Sequence, residues 1–247
     1  MKPTVIIGYD PREWEAYLVC EASLRAHATS RGVNVIRLDL TDLRDGGLYD
    51  RPYRVDERGQ MWDERDQRPF SVAFSFSRFL VPHIVRKGPA LFVDCDFVFR
   101  RDVAGLFDLF DPQYAVQVVK HDHRPKGTMK MDGISQVGYN RKNWSSCVLW
   151  NTEHHGHAGL TVEAVNTWPG RDLHGFKWLS DCYIGSLPEA WNWLADASPT
   201  TPDGTPEDIA AIHYTSGGPW FEHMQDCPYA DVYRLERSLM WRERVPA

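Results

Sequence analysis

The feature that most constrains the fold is the opening order of an apolar run, an amphipathic run and a second apolar run. Val5-Ile6-Ile7 reads as a buried strand that leads through Gly8-Tyr9-Asp10-Pro11-Arg12-Glu13 into a helix. Asp10 suits the N-cap, Pro11 the first helical position, and Glu13 the reciprocal place in a capping box. Trp14, Tyr17, Leu18, Leu24 and Ala28 follow at near-helical spacing, Arg31-Gly32 stops the helix, and residues 33–40 form a second strand. Strand, helix and strand at this spacing make a βαβ unit. It implies a parallel sheet with ligand binding at the carboxyl ends of its strands, and Gly8 to Arg12 lie at that edge.

A second run, Ala90-Leu91-Phe92-Val93-Asp94-Cys95-Asp96-Phe97-Val98-Phe99, is apolar except for two acids. Alternation along an extended chain places residues i and i+2 on one side, so both carboxylates can face one cation. An Asp-x-Asp is expected about once by chance in a chain of this length. Its apolar setting is more telling, because adjacent buried acids repel unless a cation or hydrogen-bond donors compensate. Turn or capping chemistry at a strand end is the alternative. Two hard oxygen ligands are too few to hold Mg²⁺ or Mn²⁺ alone, so substrate phosphates would complete the shell, which points to a nucleoside-diphosphate substrate.

At 247 residues, 43% apolar and 25% charged, the chain is large enough for one α/β domain and too apolar to be disordered. A net charge of −6 disfavours a broad footprint on nucleic acid or an anionic membrane, and small or neutral partners fit better. Five scattered cysteines without a Cys-x-x-Cys pair suggest reduced thiols and a cytoplasmic protein. No segment has the length of a membrane span or the pattern of a signal peptide.

Residues 41–69 are polar without a sustained period and read as turns or short strands with a solvated surface. Residues 71–85 favour a helix that Pro82 kinks or ends, with Arg78 among aromatics as either a snorkelling core-edge residue or an anion ligand. A short capped helix over residues 101–107 and a strand over 114–119 follow. The loop from Lys120 to Gly133 holds the densest local cluster of cations. It is either a surface lid or a set of contacts to diphosphate or acceptor.

Residues 144–151 read as a buried strand ending in Asn151, and the histidines at 154, 155 and 157 as exposed loop residues rather than a zinc site. Helical periods recur over residues 160–168 and 173–183, with a rigid aromatic segment over 187–193. Residues 210–220 carry a short strand that delivers His213, then Gly217 and Gly218, where the backbone can approach a ligand closely. A histidine at a strand end is either structural or a third metal ligand beside the two acids. Residues 229–244 read as a surface helix with Trp241 docked.

Taken in order, Gly8-Tyr9-Asp10, Phe76-Ser77-Arg78-Phe79-Leu80-Val81-Pro82, Asp94-Cys95-Asp96, Trp144-Ser145-Ser146-Cys147-Val148-Leu149-Trp150-Asn151, Leu187-Pro188-Glu189-Ala190-Trp191-Asn192 and His213 to Trp220 resemble the GT-A fold glycosyltransferases of family 8. The resemblance implies a single α/β domain over residues 1–247 with a Rossmann-like, mainly parallel mixed sheet flanked by helices. It implies a nucleotide-binding half to about residue 100, an acceptor half to about 225 and a terminal helix over about 229–244. It further implies a nucleotide-sugar donor, with UDP-sugar the leading class, Mn²⁺ or Mg²⁺ on Asp94, Asp96 and His213, and an acceptor whose identity is open.

By the same resemblance, Tyr9, Asp10 and Arg12 border the nucleoside, and Arg78, Asp94 and Cys95 contact the donor. Gly217, Gly218 and Trp220 line the diphosphate, and Asn151 and Asp181 border the transferred sugar as catalytic candidates. The sequence departs from the family where a Lys before the last Pro-Trp is replaced by Gly218, and where an Asp-Gln-Asp signature is replaced by Leu179-Ser180-Asp181-Cys182-Tyr183. Lys120 and Lys126 are therefore the expected replacement cations, on a loop that closes over the donor. Competing readings are a metal-dependent phosphohydrolase or nucleotidyltransferase, and a non-catalytic carbohydrate-binding protein suggested by ten tryptophans.

Overall fold

The computed structural model describes residues 2–121, 129–130, 134–135, 141–198 and 208–244. Strand β1 (Thr4–Gly8) leads into a 3-10 turn at Pro11–Glu13 and the helix Trp14–His27, and β2 (Asn34–Leu38) returns parallel to β1. Asp10 caps the 3-10 turn rather than the helix itself, accepting the Arg12 N–H at 2.9 Å. A short helix, Leu40–Asp45, precedes the antiparallel strands β3 (Tyr53–Val55), β4 (Met61–Asp63) and β5 (Arg68–Phe70). The central strand β6 (Pro89–Val93) ends at Asp94, and β7 (Phe97–Phe99) follows. Then come β8 (Val116–Val118), the ribbon β9 (Met129–Lys130) and β10 (Ile134–Ser135), and β11 (Cys147–Asn151). The last strands are β12 (Ile184–Ser186), β13 (Trp193–Leu194) and β14 (Ala211–His213), before the helix Ala230–Arg244.

The main sheet has the order β12-β8-β11-β6-β1-β2, and all its pairs are parallel except those made by β11. It is the mixed, mainly parallel α/β sheet that the βαβ opening demands. Its central residues Val5, Ile6, Ile7, Leu91, Phe92 and Val93 are fully buried, as expected of strands covered on both faces. A smaller sheet, β13-β14-β7, pairs His213 with Phe97 antiparallel, which brings the end of β14 beside the Asp94-Cys95-Asp96 turn. That pairing unites residues far apart in sequence. Among the described residues no helix is long and apolar enough to cross a membrane.

Several expectations are corrected. Residues 71–76 are not helical; a 3-10 turn at Ser77–Leu80 passes into the helix Val81–Ile84, and Pro82 begins that helix instead of ending it. Proline's missing N–H is tolerated in a first turn because that donor has no intrahelical acceptor. In the terminal helix Tyr233 and Met240 are the buried anchors, while Trp241 stays 40% exposed.

The polar stretch over residues 41–69 is not simply a solvated surface. Arg51 is fully buried and grips Asp63 through two hydrogen bonds, Nε to Oδ2 at 2.5 Å and Nη2 to Oδ1 at 2.9 Å. It also donates to the Trp168 carbonyl at 2.7 Å and lies 4.0 Å over the Phe76 ring. One guanidinium thus pins the small β3-β4-β5 sheet to the body.

Candidate metal and sugar-nucleotide site

Asp94, Asp96 and His213 each offer one ligand atom within 4.8 Å of the others, and all three are buried. Asp94 and Asp96 share a side because Cys95, between them, turns its thiol into the core, where burial raises its pKa well above the usual range. The Cys95 side chain is therefore a packing residue. His213 arrives from β14 and stacks on Phe97 with ring centroids 4.5 Å apart. Its Nδ1 lies 2.8 Å from Asn192 Oδ1, and Asn192 Nδ2 donates to Ser146 Oγ at 3.0 Å and to the Asn143 carbonyl at 3.3 Å. Those two acceptors orient the amide, so Nδ1–H donates to Oδ1 and a neutral ring keeps its lone pair on Nε2.

Nε2 is buried, makes no hydrogen bond among the described residues, and lies 3.3 Å from Asp96 Oδ1. A lone pair facing a carboxylate at that distance suits a cation between them, and two carboxylates with an oriented imidazole suit Mn²⁺ or Mg²⁺. The residues fit a divalent metal. Asn192 is the supporting residue that sequence reasoning missed, although the Trp191-Asn192 pair stood inside a stretch singled out for its resemblance.

Arg78 is buried beside this group, donating to Asp94 Oδ1 at 2.6 Å and to the Ser145 carbonyl at 3.0 Å. Its guanidinium lies 5.1 Å from the Phe74 ring centroid and 5.2 Å from that of Phe92. The snorkelling alternative for Arg78 is corrected, since it is 5% exposed among these aromatics, and the anion it holds is the Asp94 carboxylate. Asp94 and Arg78 also line a cavity of about 360 Å³, closed by residues 63–76 on one side and by 142–146 and 169–174 on the other. That volume lies within the range of small-molecule sites.

Ser145 and His174 form part of its wall, joined by a 2.7 Å hydrogen bond between Oγ and Nδ1. Burial, and secondarily Arg78 and Lys142, holds the His174 imidazole well below its ordinary pKa, so the ring is neutral near pH 7. Ser145 lay in the quoted strand motif, whereas nothing in the sequence marked His174.

The other expected residues divide. Asp10 is buried and its carboxylate is occupied by Arg12 and by the Ala73 N–H at 2.8 Å, so it clamps two loops instead of presenting itself to a nucleoside. Arg12 completes that clamp by donating to the Ser71 carbonyl. Tyr9 is half-buried, edge-on to Tyr17 and under the Arg37 guanidinium, at the carboxyl end of β1. Gly217 has a φ of +106°, and a Cβ there would stand 2.8 Å from Met224. A Cβ on Gly218 would overlap the Trp220 ring, which packs against Tyr214 and Tyr233. The glycines admit this aromatic cluster, to which the half-buried Trp220 belongs.

Lys120 is engaged elsewhere, its Nζ donating to the Ile184 carbonyl at 2.7 Å and lying 5.9 Å from the Trp144 ring centroid. Lys126 lies outside the described residues, as does the expected closing loop apart from Lys120, His121 and the strand Met129–Lys130. Asn151 is corrected outright, because β11 runs antiparallel to β6 and pairs Asn151 with Pro89 while Cys147 pairs with Val93. That places Asn151 roughly 13 Å along the strand from the metal end. Its amide donates to the Pro112 carbonyl at 3.1 Å. Asp181 is 80% exposed, lies outside the cavity wall and pairs with Arg141 at 2.6 Å, whose hydrogen bond holds its carboxyl below the usual range.

No protein-family model matches this chain. Protein CDI of Arabidopsis thaliana is 45% identical over 233 residues, covering 94% of this chain and 85% of that protein. Among solved structures, the bifunctional glycosyltransferase WbbM superposes with a TM-score of 0.62 at 13% identity, over 98% of this chain and 51% of that one. The glycosyltransferase GlyE of Streptococcus pneumoniae TIGR4 gives 0.62 at 15% identity, over 98% and 63%. The galactosyltransferase LgtC, in complex with donor and acceptor sugar analogues, gives 0.56 at 14% identity, over 98% and 100%. The chain thus spans about half of WbbM and less than two thirds of GlyE. At these identities the likeness is one of fold, and the fold is that of the GT-A glycosyltransferases.

Proposed function

This chain belongs to the family of Arabidopsis thaliana Protein CDI, and from its fold and site we propose that it is a metal-dependent glycosyltransferase. It takes a sugar from a nucleoside diphosphate, a UDP-sugar being the leading class, and passes it with retention to an acceptor hydroxyl. The observation that carries this reading is the buried Asp94, Asp96 and His213 group beside an open cavity on a GT-A fold. Mn²⁺ or Mg²⁺ held by these three residues would supply Lewis-acid stabilisation of charge on the departing diphosphate.

The chain's own residues do the rest. Asn192 fixes the His213 tautomer, and Arg78 fixes the Asp94 carboxylate at the cavity floor. Ser145 and neutral His174 give the cavity one polar, uncharged patch suited to sugar hydroxyls. In the transfer the acceptor oxygen bonds to the anomeric carbon as the bond from that carbon to the diphosphate oxygen breaks. The acceptor's hydroxyl proton passes to the released diphosphate. In this reading Tyr9, half-buried at the carboxyl end of β1, borders the nucleoside.

The test is a thermal-shift screen of UDP, GDP, CDP and ADP with and without Mn²⁺, followed by turnover of the matching nucleotide-sugars. A ligand at a hundred times its Kd stabilises by about 2.7 kcal/mol. A metal-dependent shift is expected, lost in Asp94→Asn, Asp96→Asn and His213→Ala with the fold retained by circular dichroism. No shift with any diphosphate, or hydrolysis of simple phosphoesters without sugar release, would overturn the proposal.

A further inference from the structure

The charges on the cavity wall contributed by β4 and β5 are satisfied unevenly. Asp63 and Asp66 are drawn to the fully buried Arg51, at 2.5 Å and 3.4 Å, and Asp66 also accepts the Gly170 N–H at 2.6 Å. Arg65 and Arg68 line the same cavity from exposed positions, and neither makes an ion pair among the described residues. Arg171 lines the same cavity, its side chain 71% exposed and paired with its sequence neighbour Asp172 at 3.5 Å. Asp63 and Asp66 are thus committed to Arg51, while Arg65 and Arg68 remain exposed at the cavity with Arg171 beside Asp172, and Lys142 lines the same cavity. A local positive rim on a chain of net charge −6 is selective, because fixed charges at the mouth of a low-dielectric cleft focus the field there.

Arg65, Arg68 and Arg171 are exposed while Asp94 and Arg78, lining the same cavity, are buried, so in the transferase reading the rim is left to the second substrate. The wall beneath is polar and uncharged at Ser145 and His174. We infer that the acceptor is an anionic sugar, whose hydroxyls meet that wall and whose carboxylate or phosphate group is held by Arg65, Arg68 and Arg171. This rests on glycosyl transfer at the site, and it assigns the class of substrate that receives the sugar. Guanidinium groups bind such oxyanions through paired N–H donors, which an ammonium group cannot match.

The full chain with Mn²⁺, with and without UDP, is titrated calorimetrically with glucuronate, glucose 6-phosphate, glucose and inorganic phosphate. The two anionic sugars should bind at least about tenfold tighter than glucose and tighter than phosphate alone. That preference should shrink as salt rises from about 0.1 M to about 1 M. Arg68→Glu and Arg65→Glu, both at exposed positions, should abolish the preference. Equal binding of glucose and the anionic sugars, or an unchanged preference in both variants, overturns the inference. So does a loss in these variants of UDP binding alone, which would assign the rim to the donor diphosphate. UDP binding without anionic-sugar selectivity leaves the transferase reading standing and removes this one. Selectivity without nucleotide binding removes the transferase reading and with it the acceptor assignment, leaving an anionic-sugar site alone.

Discussion

Arg51→Met removes the cation that holds the small β3-β4-β5 sheet, and with it one wall of the cavity, to the body of the protein. Arg51 is 0% exposed, bonded twice to Asp63, 3.4 Å from Asp66, and donates to the Trp168 carbonyl. Methionine fills much of the space but leaves the buried Asp63 carboxylate without its counter-charge. Removing one partner of a buried pair costs about 3–5 kcal/mol, most of it the penalty on the charge left behind. At about 2–4 °C per kcal/mol for a chain of this size, the melting temperature should fall by roughly 6–20 °C.

The assay is urea and thermal unfolding at neutral pH of wild type, Arg51→Met, and Arg51→Met with Asp63→Asn. Asparagine keeps an oxygen for the Arg65 and Asp66 N–H groups that Asp63 Oδ1 accepts at 3.1 and 2.6 Å, but carries no charge. The double variant should therefore recover a large part of the loss. A single variant within about 1 kcal/mol of wild type, or a double variant no more stable than the single, would refute the argument that an unpaired buried charge dominates.

Asn192→Ala should weaken Mn²⁺ binding by about 10–100-fold without touching a ligand, since it releases His213 Nδ1 from its 2.8 Å partner; Mn²⁺ titration followed by electron paramagnetic resonance measures this. His157 accounts for part of the acid sensitivity. Burial lowers its pKa from 6.5 to about 4, while Nε2 reaches the Ala115 and Asn151 carbonyls at 3.2 and 3.1 Å. Above the unfolded value neither state is protonated there. As pH falls towards about 4 the unfolded chain takes a proton that the folded chain refuses, so about 3 kcal/mol is lost across that window. Denaturation at intervals between those limits should show a shallower decline for His157→Gln than for wild type; parallel curves would reject the assignment.

The sequence by itself determined the local, periodic features. The βαβ opening was readable from Val5 to Leu38 because burial forces an unbroken apolar run at Val5–Ile7 and a single apolar helix stripe, while the edge strand Asn34–Leu38, mostly part-buried or exposed, still carries Val35, Ile36 and Leu38. The sequence led to Asp94 and Asp96 on one side of an extended chain, whereas the structure brings them together at a turn between two strands. Only the tertiary structure decided the direction of β11, and that choice removed Asn151 from the site, since an apolar strand of five residues has the same pattern parallel or antiparallel.

Tertiary packing also decided which polar residues are spent on the scaffold. Asp10 and Arg12 satisfy each other and the backbone of Ala73 and Ser71, while Asp63 and Arg51 meet in the interior from a stretch whose composition resembles a surface. Asn192 and His213 become partners only because β13 and β14 lie side by side. A charged or amide side chain has the same identity whether it is solvated, clamped or poised, and its partners arrive from distant segments. Local periodicity therefore places strands and helices, whereas the availability of a polar group for chemistry is set by three-dimensional neighbours that no window of sequence contains.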